Sequence, residues 1–549
     1  MNPSPLEDRY RLIESVVAGE PVDVLIVGGG INGSAALADA ATRGLDALLV
    51  ERDDLAVGTS SRSSKLIHGG LRYLEHLEFG LVREGLSERH TLASLAPHLV
   101  TMHRFVVPVT GGAWQFPYIG AGLALYDLLG GRAGGRFEAL GAAGVERRAP
   151  AVDSSKTVGG FEYSDGVCDD ARVVLAVAET ARRNGGRTLT RMEVKGIDRR
   201  ASGLEVAVVD RLGGGEHVIA ARTVLDVTGA FEVDQPAFQS EVGVVTSRGS
   251  HLVIPGDRLP GRRGLTIRVP GRVVFVIPWG RRWLVGTTDV AHDGPVDRPR
   301  ATAAEVDYLL ETLRQVLAVD LARSDVVATF AGVRPLAGGG GAPSDTVAIS
   351  REHRVDHDDH GLVWVRGGKY TTYRRIAAEA VDVVCAFLGM GAGSVTGALP
   401  LAGASTSPVL DQTVAQLVVD GLEEIPARWL VGRHGIDAAR VIAAGREAGL
   451  DGLLHPEMPY LAAEAWWAIY REGALSLDDV LSRRTRLAIE TGDHGLKAAP
   501  LVAGLLADVH GWSAAETEAA ITAYADSAAA EYGVPLSPTE WGKGSPRTK

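Results

Sequence analysis

Apolar and polar residues change their spacing at a few places along the chain, and those changes predict its elements. Residues 22–27, VDVLIV, are apolar apart from one position, the pattern of a buried strand. A glycine cluster follows at 28–30, then an alanine-rich stretch of helical spacing and a second apolar run that closes on Glu51. Strand, turn, helix and strand in this order make one β-α-β unit. Residues 76–105 carry apolar positions at helical spacing. The stretch 114–130 is short, apolar and aromatic, and reads as a buried helix or as one that touches a membrane or a quinone. A hairpin and a helix are expected within 162–189, and strands at 204–209 and 223–227, the latter running into Thr228 and Gly229.

From 242 to 289 valine and isoleucine alternate with turns at Pro255, Pro270, Gly271, Pro278 and Gly280, which predicts an antiparallel sheet and a second domain. A helix at 304–316 precedes a strand leading into 332–335. The chain then returns to the first domain: strand 362–365, glycine turn 367–372 and amphipathic helix 373–387 repeat the logic of the opening unit. Residues 391–410 form a linker, and 411–540 read as helical throughout. The first domain is therefore expected in three pieces, 20–100, 151–240 and 341–390. The antiparallel domain occupies 241–340, with 101–150 as a cap or an added part of it.

Composition narrows the function. A chain of 549 residues exceeds one core and calls for two or three domains. Its net charge of -12 and lack of a basic run argue against nucleic acid as a partner, so an anionic ligand needs a local cluster of cations. Two cysteines, Cys168 and Cys385, make neither a disulfide framework nor a metal knuckle, and no metal is expected. The acidic N-terminus does not read as a signal peptide, and no uncharged run reaches the 18 or so residues of a spanning helix. A soluble or peripheral protein of the cytoplasm is expected. Only seven of the 56 basic residues are lysine, so a lysine inside a glycine-rich or polar motif stands out.

Chemistry enters with Gly28, Gly30 and Gly33, a G-x-G-x-x-G between strand and helix. The first glycine permits a tight turn, the second lets backbone approach a pyrophosphate, and the third lets the helix pack closely; Glu51 then suits a ribose diol. Residues 58–75, GTSSRSSKLIHGGLRYLE, are too polar for a core element and suit a cofactor and an anionic substrate. Gly249-Ser250-His251, Gly286-Thr287-Thr288-Asp289 and Gly332-Val333-Arg334-Pro335 are polar interruptions at strand ends.

The ordered set GGGINGS, TSSRSSKLIHGGLRYLE, RGSHLVIP, VGTTD, GVRPL, ISRE and GGKYTTYR resembles the FAD-dependent, quinone-linked glycerol-3-phosphate dehydrogenases over residues 20–390. The stretch EGALSLDDVLSRRTRLAIET at 472–491 is similar to that family's helical C-terminal domain. One departure is Asp226-Val227-Thr228-Gly229, where such flavoproteins usually carry Asn-Ala-Thr-Gly; it puts a local hydrogen bond in doubt. The resemblance implies an α/β fold: a Rossmann-like FAD domain of the glutathione-reductase and D-amino-acid-oxidase type, an antiparallel substrate domain and an all-helical C-terminal domain. It also implies oxidation of sn-glycerol 3-phosphate to dihydroxyacetone phosphate, hydride passing to flavin N5 and electrons to a membrane quinone. The protein would sit peripherally on the inner face of the cell membrane, often as a homodimer.

Residue by residue, FAD falls to Gly28, Gly30, Ile31, Asn32, Gly33, Glu51 and Arg52, then to Thr59, Ser60, Ser61, Ser64, Lys65, Leu66, His68, Gly69 and Gly70. Val194, Thr228, Gly229, Gly368, Lys369, Tyr370 and Thr371 complete that set. The substrate falls to Arg72, Tyr73, Thr287, Thr288, Arg334, Arg351 and Lys369, whose cations would hold its phosphate at about 1.5 to 3 kcal/mol per charge-assisted bond. His251, with His68 as the alternative, is the expected base, kept neutral by neighbouring cations, and Arg334 completes the catalytic set. Competing readings are a glycerol-phosphate oxidase using oxygen, another FAD-dependent amine or hydroxy-compound oxidoreductase, and a flavin-binding scaffold without catalysis. Trp114, Phe116 and Tyr118, flanked by Arg132 and Arg136, are the expected membrane contact.

Overall fold

The computed structural model describes residues 5–75, 77–112, 114–131, 136–200, 203–234, 244–269, 272–337 and 352–536, with the side chains of Arg72 and of 232–234 outside the description. The opening unit forms as its pattern dictates. Strands Val22–Val27 and Ala47–Val50 pair in parallel around the helix Ile31–Thr42. The sheet extends in parallel on one side through Arg187–Leu189 and on the other through Glu216–Asp226 and Leu362–Gly367, with His353–His357 as an antiparallel edge. Its members come from three separated stretches of chain, because a parallel neighbour needs a crossover. Helices Ile31–Thr42, Asp170–Arg183 and Tyr373–Leu388 share one core against it.

The second sheet has ten strands and is mostly antiparallel, with Val244–Pro255 pairing along its length with Ala328–Ala337. It also takes strands from outside the 241–340 segment. Val100–Val109 lies antiparallel to Gly159–Cys168 and parallel to Gly264–Val269. The helix expected over 76–105 spans Phe79–Leu95 and stops at Ala96, and residues 100–105 belong instead to the strand Val100–Val109. A β-branched run finds its partner 60 residues away, a pairing that helical spacing cannot show.

The C-terminal domain packs seven helices between Ser407 and Tyr532, interrupted by a hairpin of Leu453–His455 with Met458–Leu461. It is wedged against both sheets. Arg483 and Arg484 pair with buried Asp54, Arg486 with Asp169 and Asp170, and Arg172 with Glu472. Against the antiparallel sheet, the buried Glu490 carboxyl accepts from Trp279 Nε1 at 2.7 Å and Tyr460 OH at 2.9 Å. Burial raises Glu490 to about 7 against these hydrogen bonds. A carboxyl whose pKa is raised in the folded state stabilises fully below its unfolded value and loses that contribution as pH rises through the folded value. Stability should therefore fall by a few kcal/mol between about pH 4.5 and 7. Glu490→Gln, measured by denaturant unfolding across that range, should abolish most of the fall.

Candidate active site

The dinucleotide cleft is built by steric exclusion. Gly28 has φ +115°, and a Cβ there would lie 2.9 Å from the carbonyl oxygen of Val227. A Cβ on Gly33 would fall 1.9 Å from the carbonyl oxygen of Gly28, so only glycine lets the helix start this close to the turn. Gly30 caps the helix without a side chain, and its first turn holds no carboxylate, which leaves N-H groups facing an anion. The Ile31 N-H meets Ser60 Oγ at 3.0 Å, and buried Asn32 Oδ1 takes no hydrogen bond from the described protein. At the far end Glu51 accepts from Gly29 N at 2.6 Å and Asp53 N at 2.8 Å, while burial raises its pKa. Gly28, Glu51, Arg52, Val194 and Thr228 line one cavity there, beside Phe231. An orphaned acceptor, a helix N-terminus without a carboxylate and a cradle closed to any Cβ fit FAD.

Asp226 stands where the flavoprotein pattern has asparagine. It accepts from Thr228 N at 2.9 Å and pairs with buried Arg366 at 2.8 Å, so the extra charge is neutralised on the spot. Gly229, φ +63°, then starts the turn Gly229–Asp234.

The segment 58–75 wraps the other side of the cleft. Thr59 Oγ1 donates to Val333 O at 2.5 Å. The Lys65 ammonium is fully buried, bound to Asp170 at 2.7 and 2.8 Å and to Ser61 O at 2.6 Å. Burial, then Arg486, lowers Lys65 to about 8. Leu66 enters a short strand, and Thr371 Oγ1 meets His68 N and O at 3.3 Å each. The turn Gly368-Lys369-Tyr370-Thr371 is thereby brought onto the loop. Tyr370 OH donates to Asp170 O, and Lys369 Nζ lies 3.8 Å from the centre of the Tyr73 ring.

A second cavity, about 240 Å³, opens between this loop and the antiparallel sheet. Ser64, His68, Gly70, Tyr73, Thr287 and Arg334 line it. Arg334 Nη2 donates to Thr287 Oγ1 at 2.9 Å, with Asp289 at 3.8 Å. Thr288 faces elsewhere, donating to Glu305 at 2.8 Å. Arg72 lies in the turn Leu71–Leu74 beside the cavity, and Arg351 falls outside the described residues. His251 does not line the cavity. It is buried and stacked on Phe330 at 4.6 Å, with Nε2 hydrogen-bonded to Ser64 Oγ at 2.8 Å. Burial first, then Arg334 and Lys65, hold its pKa well below the ordinary value.

Arg268, Arg272, Phe275 and Asp165 are among the lining residues outside the expected set. Arg268 and Arg272 flank one hairpin turn, and their charge in a valine-rich hairpin was the available signal.

The fold and cleft define a flavin-dependent oxidoreductase. Residues 23–374 match the family model "FAD dependent oxidoreductase", and 394–517 match "C-terminal domain of alpha-glycerophosphate oxidase". The chain is 42% identical to a glycerol-3-phosphate dehydrogenase of Mycobacterium leprae over 92% of its own length and 88% of that protein's. It is 36% identical to the mitochondrial glycerol-3-phosphate dehydrogenase of Mus musculus, covering 89% and 71%. A solved glycerol-3-phosphate dehydrogenase from Bacillus halodurans, complexed with FAD, superposes with a TM-score of 0.79 at 25% identity, covering 96% and 98%. The chain belongs to the FAD-dependent glycerol-3-phosphate dehydrogenase family. Gly33→Ala should yield protein that folds but purifies with little flavin, read as the ratio of visible to ultraviolet absorbance.

Proposed function

We propose that the protein oxidises sn-glycerol 3-phosphate to dihydroxyacetone phosphate and delivers the electrons to a quinone in a membrane that it meets from the cytoplasmic side. The observation that carries the substrate is one small cavity, in a chain of net charge -12, whose lining brings Arg334, Arg268 and Arg272 together, with Lys369 over the lining Tyr73; Arg268 pairs there with Glu75 and Arg334 stands 3.8 Å from Asp289, so a phosphate would share these cations with acids of the wall. Bound FAD supplies the hydride acceptor. The chain's own residues supply phosphate binding and the removal of the hydroxyl proton.

For that proton His68 is better placed than His251. His68 lines the cavity, whereas an imidazolium at His251 is opposed by burial and by two cations. His251 orients Ser64 instead. His68→Asn should lower kcat about 100-fold or more and His251→Asn less than about 10-fold, with FAD retained in both. The opposite order would return the base to His251, relayed through Ser64.

The membrane reading rests on the helix Gln115–Gly130. Its buried face carries Ile119, Leu123 and Tyr126, and Ile119 borders the cavity. Its outer face presents Pro117, Tyr118, Ala121, Ala124 and Leu128, with Trp114 just before it, and holds no charge. Trp114 is 70% and Leu128 77% exposed. Such a face suits the interfacial layer of a bilayer. Phe116 is instead packed on Phe161 at 4.4 Å, and Arg132 lies outside the described residues. Among the described residues no helix is long and apolar enough to cross a membrane, so access to quinone needs a docking face of this kind.

One experiment tests both parts. Anaerobic glycerol 3-phosphate, but not glycerol, should bleach the flavin, and quinone in vesicles should restore its colour faster than air does. Faster recovery in air would establish an oxidase. Trp114→Ser with Tyr118→Ser should slow recovery by vesicle quinone and leave recovery by a soluble dye unchanged.

A further inference from the structure

A polar joint inside an apolar core reaches the substrate cavity through Asp165. Arg89, on the helix Phe79–Leu95, donates to Ser164 O at 2.9 Å and pairs with Asp165 on the strand Gly159–Cys168. Tyr126, on Gln115–Gly130, donates its hydroxyl to Asp165 Oδ1 at 2.9 Å. The same hydroxyl accepts from Gly69 N at 2.8 Å. Arg89, Asp165 and Tyr126 are each more than nine-tenths buried, and Leu86, Phe105, Leu123 and Tyr163 surround them in one cluster. Burial, then Asp165, holds Tyr126 well above its ordinary pKa, so the hydroxyl stays protonated and both hydrogen bonds have a fixed direction.

A buried ion pair with a phenol contributes little net stability compared with apolar packing of equal volume. Its geometry points to another use. Gly69 is clasped from behind: a Cβ there would lie 2.5 Å from Leu86 Cγ and 3.0 Å from Tyr126 OH. Directly ahead, His68 lines the cavity, and a Cβ on Gly70 would lie 2.1 Å from the Tyr73 ring that carries Lys369. The backbone at Gly69 therefore sets where the cavity-lining groups on either side stand.

We propose that Tyr126 is a positioning residue for substrate binding: held by Asp165 and Arg89, its hydroxyl fixes Gly69 N-H, and with it His68 and the Tyr73–Lys369 pair at the cavity. This rests on the cavity being the glycerol 3-phosphate site.

The test is Tyr126→Phe beside Leu123→Ala, which opens a void on the same buried helix face without touching Gly69. With a soluble dye as acceptor, Tyr126→Phe should raise KM for glycerol 3-phosphate about tenfold and change kcat less than about threefold, with flavin content unchanged. Leu123→Ala should lower Tm and leave KM in place. KM is independent of the fraction of molecules folded, so a partly unfolded variant still reports. Hydrogen exchange of the peptide spanning 66–74 reads the same joint without substrate and should accelerate in Tyr126→Phe only. Unchanged exchange with KM within twofold, or equal effects of the two substitutions, would overturn the proposal. A wild-type protein inactive on glycerol 3-phosphate would instead refute the substrate, and the exchange measurement would still decide the role of Tyr126.

Discussion

Neutralising one aspartate in the interior constrains the whole flavin site. Asp170 is fully buried at the start of the helix Asp170–Arg183, and Lys65 and Arg486 reach it from two other parts of the chain. Asp169 shares Arg486, so two carboxylates face two cations. Breaking such a group by removing one member leaves a charge stranded in low dielectric at a cost of about 3 to 5 kcal/mol. The Asp170 carboxylate also accepts from Ser63 N and Oγ at 3.0 and 2.7 Å, and its backbone carbonyl accepts from Tyr370. The 58–75 loop, the 367–372 turn and the C-terminal domain all end on this residue. Their relative positions follow from it.

What could be read from the sequence is what local sterics decide. The opening β-α-β unit and its glycines were legible because each demand, from the turn at Gly28 to the tight helix start at Gly33, is met within a few residues. The return of the chain at 362–388 was legible for the same reason. The strand Val100–Val109 was not, since its identity is fixed by Gly159–Cys168 rather than by its own spacing. Lysine scarcity singled out Lys65, yet its partner is an aspartate 105 residues away, which no local pattern records. The departure at Asp226 looked like a lost hydrogen bond and is a complete ion pair once Arg366 is in place. Of the cations at the cavity, Arg334 and Lys369 sit on motifs, whereas Arg268 and Arg272 reach it only through hairpin geometry.

The helix Gln115–Gly130 joins two tasks that are usually separate. Its outer face is apolar and uncharged, and its inner face supplies both a wall of the cavity and the hydroxyl that holds Gly69. An event at the surface and the position of the backbone beside the cavity are thus one helix diameter apart, about 10 Å. No long pathway is needed to connect them.

The arginines of 483–486 also impose an order on biosynthesis. Asp170 leaves the ribosome 316 residues before Arg486, and Asp54 leaves 429 residues before Arg483. At 5 to 20 residues per second the first interval alone is roughly 15 to 60 s. Throughout it the nascent nucleotide-binding half carries acids that have no arginine to receive them. Lys65 can meet Asp170 early, but Asp54 and Asp169 gain these arginines only when the chain has reached 483–486, more than 400 residues after its first strand.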